Sequence, residues 1–129
     1  MKIENHSKKI RHLENSASKL DLKEDYEALV ELYMLISAHY INMVLHKLGV
    51  VKEYKDIRHN QLFSFLKEGE KLGKDTELVR DSMKKLDDLR PSYVYGKGEN
   101  GDVAKKAVGY YKKIKDICGS IAQETGGNK

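Results

Sequence analysis

The chain has 129 residues, a formal net charge of +4 and one cysteine. That length suits a single domain whose core needs no covalent staples, and a lone cysteine excludes an internal disulfide. The charge is only a mild bias toward polyanions, and a solvated helix face explains its clustering in "KK" (105–106) and "KKIK" (112–115) better than a nucleic-acid groove.

The N-terminal "MKIENHSKK" is polar from its first residues and offers no signal-peptide core. Ile3, Ile10, Leu13, Ala17 and Leu20 form one apolar stripe, which predicts a first helix over about 2–20. "DLKED" breaks it, with Asp21 available as a cap. A long second helix is expected over about 24–48. Tyr26, Val30, Tyr33, Ser37, Tyr40, Val44 and Leu48 mark one face, and Leu29, Ile36 and Ile41 widen it. Glu31, His39, Asn42, His46 and Lys47 interrupt this apolar stretch, so a membrane span is not expected. The expectation is a soluble, cytoplasmic protein.

Gly49 is the natural stop of the second helix, because glycine takes the left-handed conformation cheaply. "VVKEYKD" then reads as a connector. A short third helix carries Leu62, Phe65 and Leu66 on one side, with Gly69 and Gly73 bracketing its end. Asp75 is a good N-cap for a fourth helix with Leu78, Val79, Met83, Leu86 and Leu89 inward. Pro91 is expected to end that helix, with Arg90 on its last carbonyls. "YGKGENGD" is a loop by composition. Asp102 can cap a last helix with Val103, Ala107, Tyr110, Ile114, Ile117 and Ile121 inward, and Cys118 falls in its apolar pattern as a buried structural thiol.

No alternating strand pattern is present. The expected fold is all-α, an up-and-down bundle of about five helices in one domain over 1–124, with a flexible tail at 125–129. A helix apolar on more than one side is either central or shared with a second copy, so a homodimer is expected.

Three polar features stand out. His39, Asn42 and His46 share a helix face at i, i+3 and i+7. The two histidines lie about 10 Å apart along the axis, too far to chelate one ion from one helix. The sequence thus assigns no metal ligands and no cofactor. "DIRHNQ" (56–61) sets Arg58 and His59 side by side, either as an N-terminal turn or as a pair for phosphate contact or proton transfer. "LRPSYVYG" (89–96) sets Arg90, Tyr93 and Tyr95 around the expected helix stop.

The order of these features resembles the HEPN family of small α-helical domains. The resemblance rests on "YEALVELYMLISAHYINMVLHKLGV", "RHNQLFSFL", "LDDLRPSYVYG" and "AKKAVGYYKKIKDIC", and covers about Tyr26 to Ile121. It implies a HEPN-like bundle. Many HEPN proteins are metal-independent ribonucleases in which an Arg, a spacer of four to six residues and a His meet their copies across a dimer interface. After Arg90 the His positions hold Tyr95, Gly96 and Lys97; after Arg58 they hold Phe63, Ser64 and Phe65; after Arg80 they hold Lys85, Leu86 and Asp87. Arg11 fails as well. A tyrosine with a pKa near ~10 is a poor base at neutral pH beside a histidine near ~6.5, but it still stacks and donates hydrogen bonds.

The resemblance therefore implies a non-catalytic homodimeric module for a nucleotide or RNA, or a partner of a small nucleotidyltransferase. Arg90, Tyr93, Tyr95, Arg58, His59 and His39 are the candidate ligand-binding residues. In some toxin members of the family a tyrosine near the position of Tyr93 and Tyr95 is a nucleotidylation target. Two alternatives stand beside this reading. One is a divergent ribonuclease of the toxin type, its base supplied by His59 or His39; the other is a helical interaction protein with no ligand.

Overall fold

The computed structural model describes the backbone of residues 1–94 and 100–127 and the side chains of 1–90 and 102–123. Among the described residues the chain is all-helical: α1 (Ile3–Ser18), α2 (Tyr26–Lys47), α3 (Leu62–Phe65), α4 (Thr76–Val94) and α5 (Asn100–Gly127). A 3₁₀ turn, His59–Gln61, leads into α3. The architecture is a helical bundle, as the apolar stripes predict.

The second helix is central. It packs against α1, α4 and α5, and α4 also packs against α5. Val30, Met34, Ile41, Val44 and Leu45 join Val79, Met83 and Leu86 of α4 and Ala107 and Ile114 of α5 in the main core. Ile36 and Met43 turn the other way, toward Ile10 of α1 and Tyr111 of α5. By length and composition α2 could span a bilayer, but 67% of its most apolar window is covered by the bundle. Its apolarity on more than one side is thus used within the protein.

Local chemistry sets the element ends. Asp21 Oδ2 accepts from the amides of Lys23 and Glu24, and Asp25 Oδ2 accepts from the amide of Asp21. This reciprocal turn leads into α2. Gly49 ends α2 with φ +74°, as expected. The amide of Val50 reaches the Leu45 carbonyl at 2.9 Å and that of Gly49 reaches His46 at 3.1 Å, the paired bonds of a Schellman motif. At the start of α4 the Asp75 carbonyl accepts from Val79. The Thr76 hydroxyl accepts from Leu72 and donates to Gly73, tying down the preceding turn.

Several expectations are corrected. Helix α5 starts at Asn100, so Asp102 stands in its first turn rather than at its cap, and its backbone is helical to Gly127, inside the stretch expected to be a tail. Helix α4 does not stop at Pro91 but runs to Val94. Proline only removes one amide and disfavours helix in the residue before it, and that local bias is outweighed here. Arg90 is therefore a helix-interior residue rather than a C-terminal cap. Leu78, expected inward, is 46% exposed: the buried stripe runs through Val79, Met83 and Leu86, and Leu78 sits one residue off it. On α5 the stripe is shifted in the same way. Tyr111 and Cys118 are buried, while Tyr110 and Ile117 are half-buried at the core edge. Burial pushes the Cys118 thiol up to about 12, which suits an inert packing role.

Gly49 tests the account of the α2 terminus. Nothing lies within 4 Å of a Cβ built there, so the cost of a side chain is purely conformational. Gly49→Ala is expected to lower stability by about 1–2 kcal/mol, and Gly49→Asn by less, because asparagine tolerates the left-handed region. Urea denaturation of the three proteins measures both.

Candidate functional site

The polar face of α2 is not a surface groove. Asn42 is 3% exposed and clamps the connector. Its Nδ2 donates to the Ala38 and Ile57 carbonyls at 3.0 and 2.9 Å, and its Oδ1 accepts from the Ile57 amide at 2.8 Å. With both polar groups of residue 57 held, the preceding Asp56 is delivered to the end of α2.

There Asp56 Oδ1 meets two buried imidazoles. His46 Nε2 lies 2.8 Å from it and His6 Nε2, from α1, lies 3.0 Å from it. The remaining nitrogens are engaged too. His46 Nδ1 is 2.9 Å from the Val51 carbonyl, and His6 Nδ1 is 2.9 Å from His39 Nδ1. A carbonyl only accepts, so His46 carries a proton on Nδ1. A neutral chain of bonds for the other two rings has His39 Nδ1 donating to His6, and His6 Nε2–H donating to Asp56. The Met1 amino group also lies 3.3 Å from both Asp56 oxygens.

The electrostatics follow from this packing. Burial pushes the His39 imidazole down to about 4, with His6 and Lys9 adding to the effect. Burial likewise lowers His6, against the opposing pull of Asp56. For Asp56, burial acts upward, but hydrogen bonds from His46 and His6 outweigh it and hold the carboxyl below its usual range.

A second polar region lies along α4. Phe63 of α3 has the Arg80 guanidinium 5.6 Å and the Lys84 ammonium 5.4 Å from its ring centre. A shallow depression of about 260 Å³ opens beside it, lined by Phe63, Asp81, Lys84, Lys85 and Asp88. His59 Nδ1 lies 3.2 Å from Asp87 Oδ1. Three residues on, Arg90 Nε donates to Glu31 Oε1 of α2 at 2.8 Å. Residues three and four apart share a helix face, so Arg80, Lys84, Asp87 and Arg90 line one side of α4.

The sequence-derived candidates thus divide. Arg90 and His59 meet the same side of α4, with Arg58 exposed beside His59. His39 belongs instead to the α1–α2 cluster. Tyr95 and the Tyr93 side chain lie outside the described residues. Sequence reasoning missed His6, Asp56 and Phe63 as partners. His6 left a signal: it falls three residues after Ile3 and four before Ile10, on the apolar stripe itself. Compared with family models, curated proteins and solved structures, the chain matches none, so the HEPN resemblance rests on its own residues alone.

Asn42→Ala is expected to cost about 2–4 kcal/mol, because it removes three hydrogen bonds and strands a peptide at the core edge. Urea denaturation measures the loss, and the Ile57 amide should exchange faster with solvent.

The histidine cluster also sets a pH dependence in metal-free protein. Folded His39 and His6 bind protons more weakly than in the unfolded chain. The unfolded state therefore gains more protons on acidification, and stability falls as pH drops from about 6.5 through about 4. Asp56, held low, gives stability that is lost at still lower pH. His39→Asn keeps an N–H near His6 but does not titrate. Its urea midpoints, measured in chelator, should vary less with pH across the upper window than those of the parent.

Proposed function

We propose that the protein is a homodimeric binding module for a nucleotide or a short RNA segment, without catalysis, and that the ligand docks on the exposed side of α4. The observation that carries this reading is the Phe63 ring flanked by Arg80 and Lys84, on the helix side shared by Arg90 and the His59–Asp87 pair. A nucleotide offers a flat base and an anionic phosphate, and an aromatic ring among cations suits both. Arg90 and Arg58 supply planar forks for phosphate.

The cations on this side have local carboxylate partners: Arg80 with Glu77 and Asp81, Lys84 with Asp88, Arg90 with Glu31. Such partly exposed pairs are worth about 1 kcal/mol or less. A phosphate can therefore replace the carboxylate at little cost. The resemblance to HEPN domains supports a dimer with this region near the interface. It also bears on catalysis, since Arg90 has no histidine in the family's spacing and His39 is engaged with His6.

Titration of fluorescent single-stranded RNA and of mononucleotides by anisotropy at low salt tests the reading. Saturable binding that weakens with salt is expected. Phe63→Ala should weaken it by about 5- to 150-fold, the worth of one stacked base, and Arg90→Ala should weaken it without changing the fold. Light scattering should give twice the chain mass. Absence of binding to any RNA or nucleotide would leave an interaction protein only. Cleavage in chelator that is lost with His59→Ala would instead establish the ribonuclease, with Asp87 orienting the base.

A further inference from the structure

We propose that His6, His46 and Asp56 form a binding site for one divalent transition-metal ion of the zinc type, held between α1, α2 and the connector. The three side chains offer one ligand atom each, and these atoms lie within 4.8 Å of one another. No two of the ligands come from the same element, which is why the spacing of His39 and His46 on α2 gives no hint of the site.

The state of His46 is the first argument. Its Nδ1–H is committed to the Val51 carbonyl, which leaves a lone pair on Nε2. That lone pair faces an ionised carboxylate oxygen 2.8 Å away. Two acceptors at that distance require a proton or a metal ion between them. Two imidazoles and a carboxylate on one point are a donor set for zinc and its neighbours in the first transition row.

The surroundings are the second argument. Ligand histidines usually donate their far nitrogen to a carbonyl or another fixed group, which sets the tautomer. His46 does so with Val51, whose position follows from the Schellman turn at Gly49. For His6 the bond to His39 reverses on metal binding: both rings change tautomer, His6 Nδ1–H donates to His39 Nδ1, and the His6 Nε2 lone pair is left for the ion. Asp56 is fixed through the Asn42 clamp on the next residue.

The dimensions are the third. Ligand atoms about 2.0–2.1 Å from a tetrahedral zinc are roughly 3.3 Å apart. The present separations of 3.0 and 2.8 Å about Asp56 Oδ1 need to open by a few tenths of an ångström, and the two imidazole nitrogens, within 4.8 Å of each other, must settle at a similar spacing. Both histidines are buried while the Asp56 side chain is 36% exposed. The site thus has a closed imidazole floor and an open carboxylate side for entry and for a water ligand. A bound ion would neutralise the Asp56 carboxylate, which also faces the Met1 amino group.

The test is a zinc titration of chelator-treated, refolded full-length protein against a chromophoric competitor, followed by cobalt substitution. One ion per chain is expected, with a raised thermal midpoint in excess zinc, by mass action. His46→Gln and Asp56→Asn should each weaken binding by at least about 10-fold, and His12→Ala, at an exposed histidine of α1, the helix that carries His6, should leave it unchanged. Zinc-edge X-ray absorption on the parent protein counts imidazole ligands without any substitution, and two are expected. A folded parent that takes up no stoichiometric zinc or cobalt, a spectrum with fewer than two imidazoles, or affinity unchanged in both variants would overturn the site. RNA or nucleotide binding plays no part in these readouts, so the two proposals fail separately.

Discussion

The burial of α2 is the constraint on which the rest of the protein depends. A helix with apolar residues around most of its circumference must be surrounded, and α1, α4 and α5 close around it. The same helix carries His39, Asn42 and His46, and two of these are buried with it. Buried polar groups without partners are costly, so partners must be brought in from elsewhere. The carbonyls of Ala38 and Val51, the peptide group of Ile57, the ring of His6 and the carboxylate of Asp56 fill that need. The connector after α2 is thus a required part of the core, although its composition is that of a surface loop.

This requirement organises the protein into two chemical halves. On the α1 side, imidazoles and one carboxylate are drawn into a largely buried hydrogen-bonded network. Along α4, cations and an aromatic ring sit partly exposed, paired with nearby carboxylates. Glu14 is a third polar node: it accepts from the Tyr40 and Tyr111 hydroxyls and from Lys115. Burial and the Glu14 charge push both phenols above their ordinary range, so they remain neutral donors that tie α1 to α2 and α5. Among the described residues the Glu14 node and the His6–Asp56 node share no hydrogen-bond partner, which allows one to be altered with limited effect on the other.

Much of the fold was legible in the sequence because its signals are local. Gly49 stops α2 through its own backbone freedom, and the spacing of Val79, Met83 and Leu86 aligns them on one helix face whatever packs there. The misreadings arise where tertiary context outweighs a local bias. Pro91 weakens a helix yet does not end α4. Leu78 is apolar, but its angular position, one residue off the buried stripe, leaves it at the surface. His6 is the instructive case among the candidate site residues. It stands in an apolar stripe, where a polar residue signals a buried partner, but nothing nearby in the chain could name that partner.

By itself the sequence determined the all-helical class, most of the helix boundaries to within a few residues, and most of the residues that face a core. These follow from periodicity and backbone preference, which act over a few residues. Only the tertiary structure decided which polar groups meet. Fifty positions separate His6 from Asp56, and fifty-nine separate Glu31 from Arg90. Such encounters depend on how each helix is rotated about its axis when its apolar stripe is buried, and that rotation is a property of the packed bundle rather than of any segment within it.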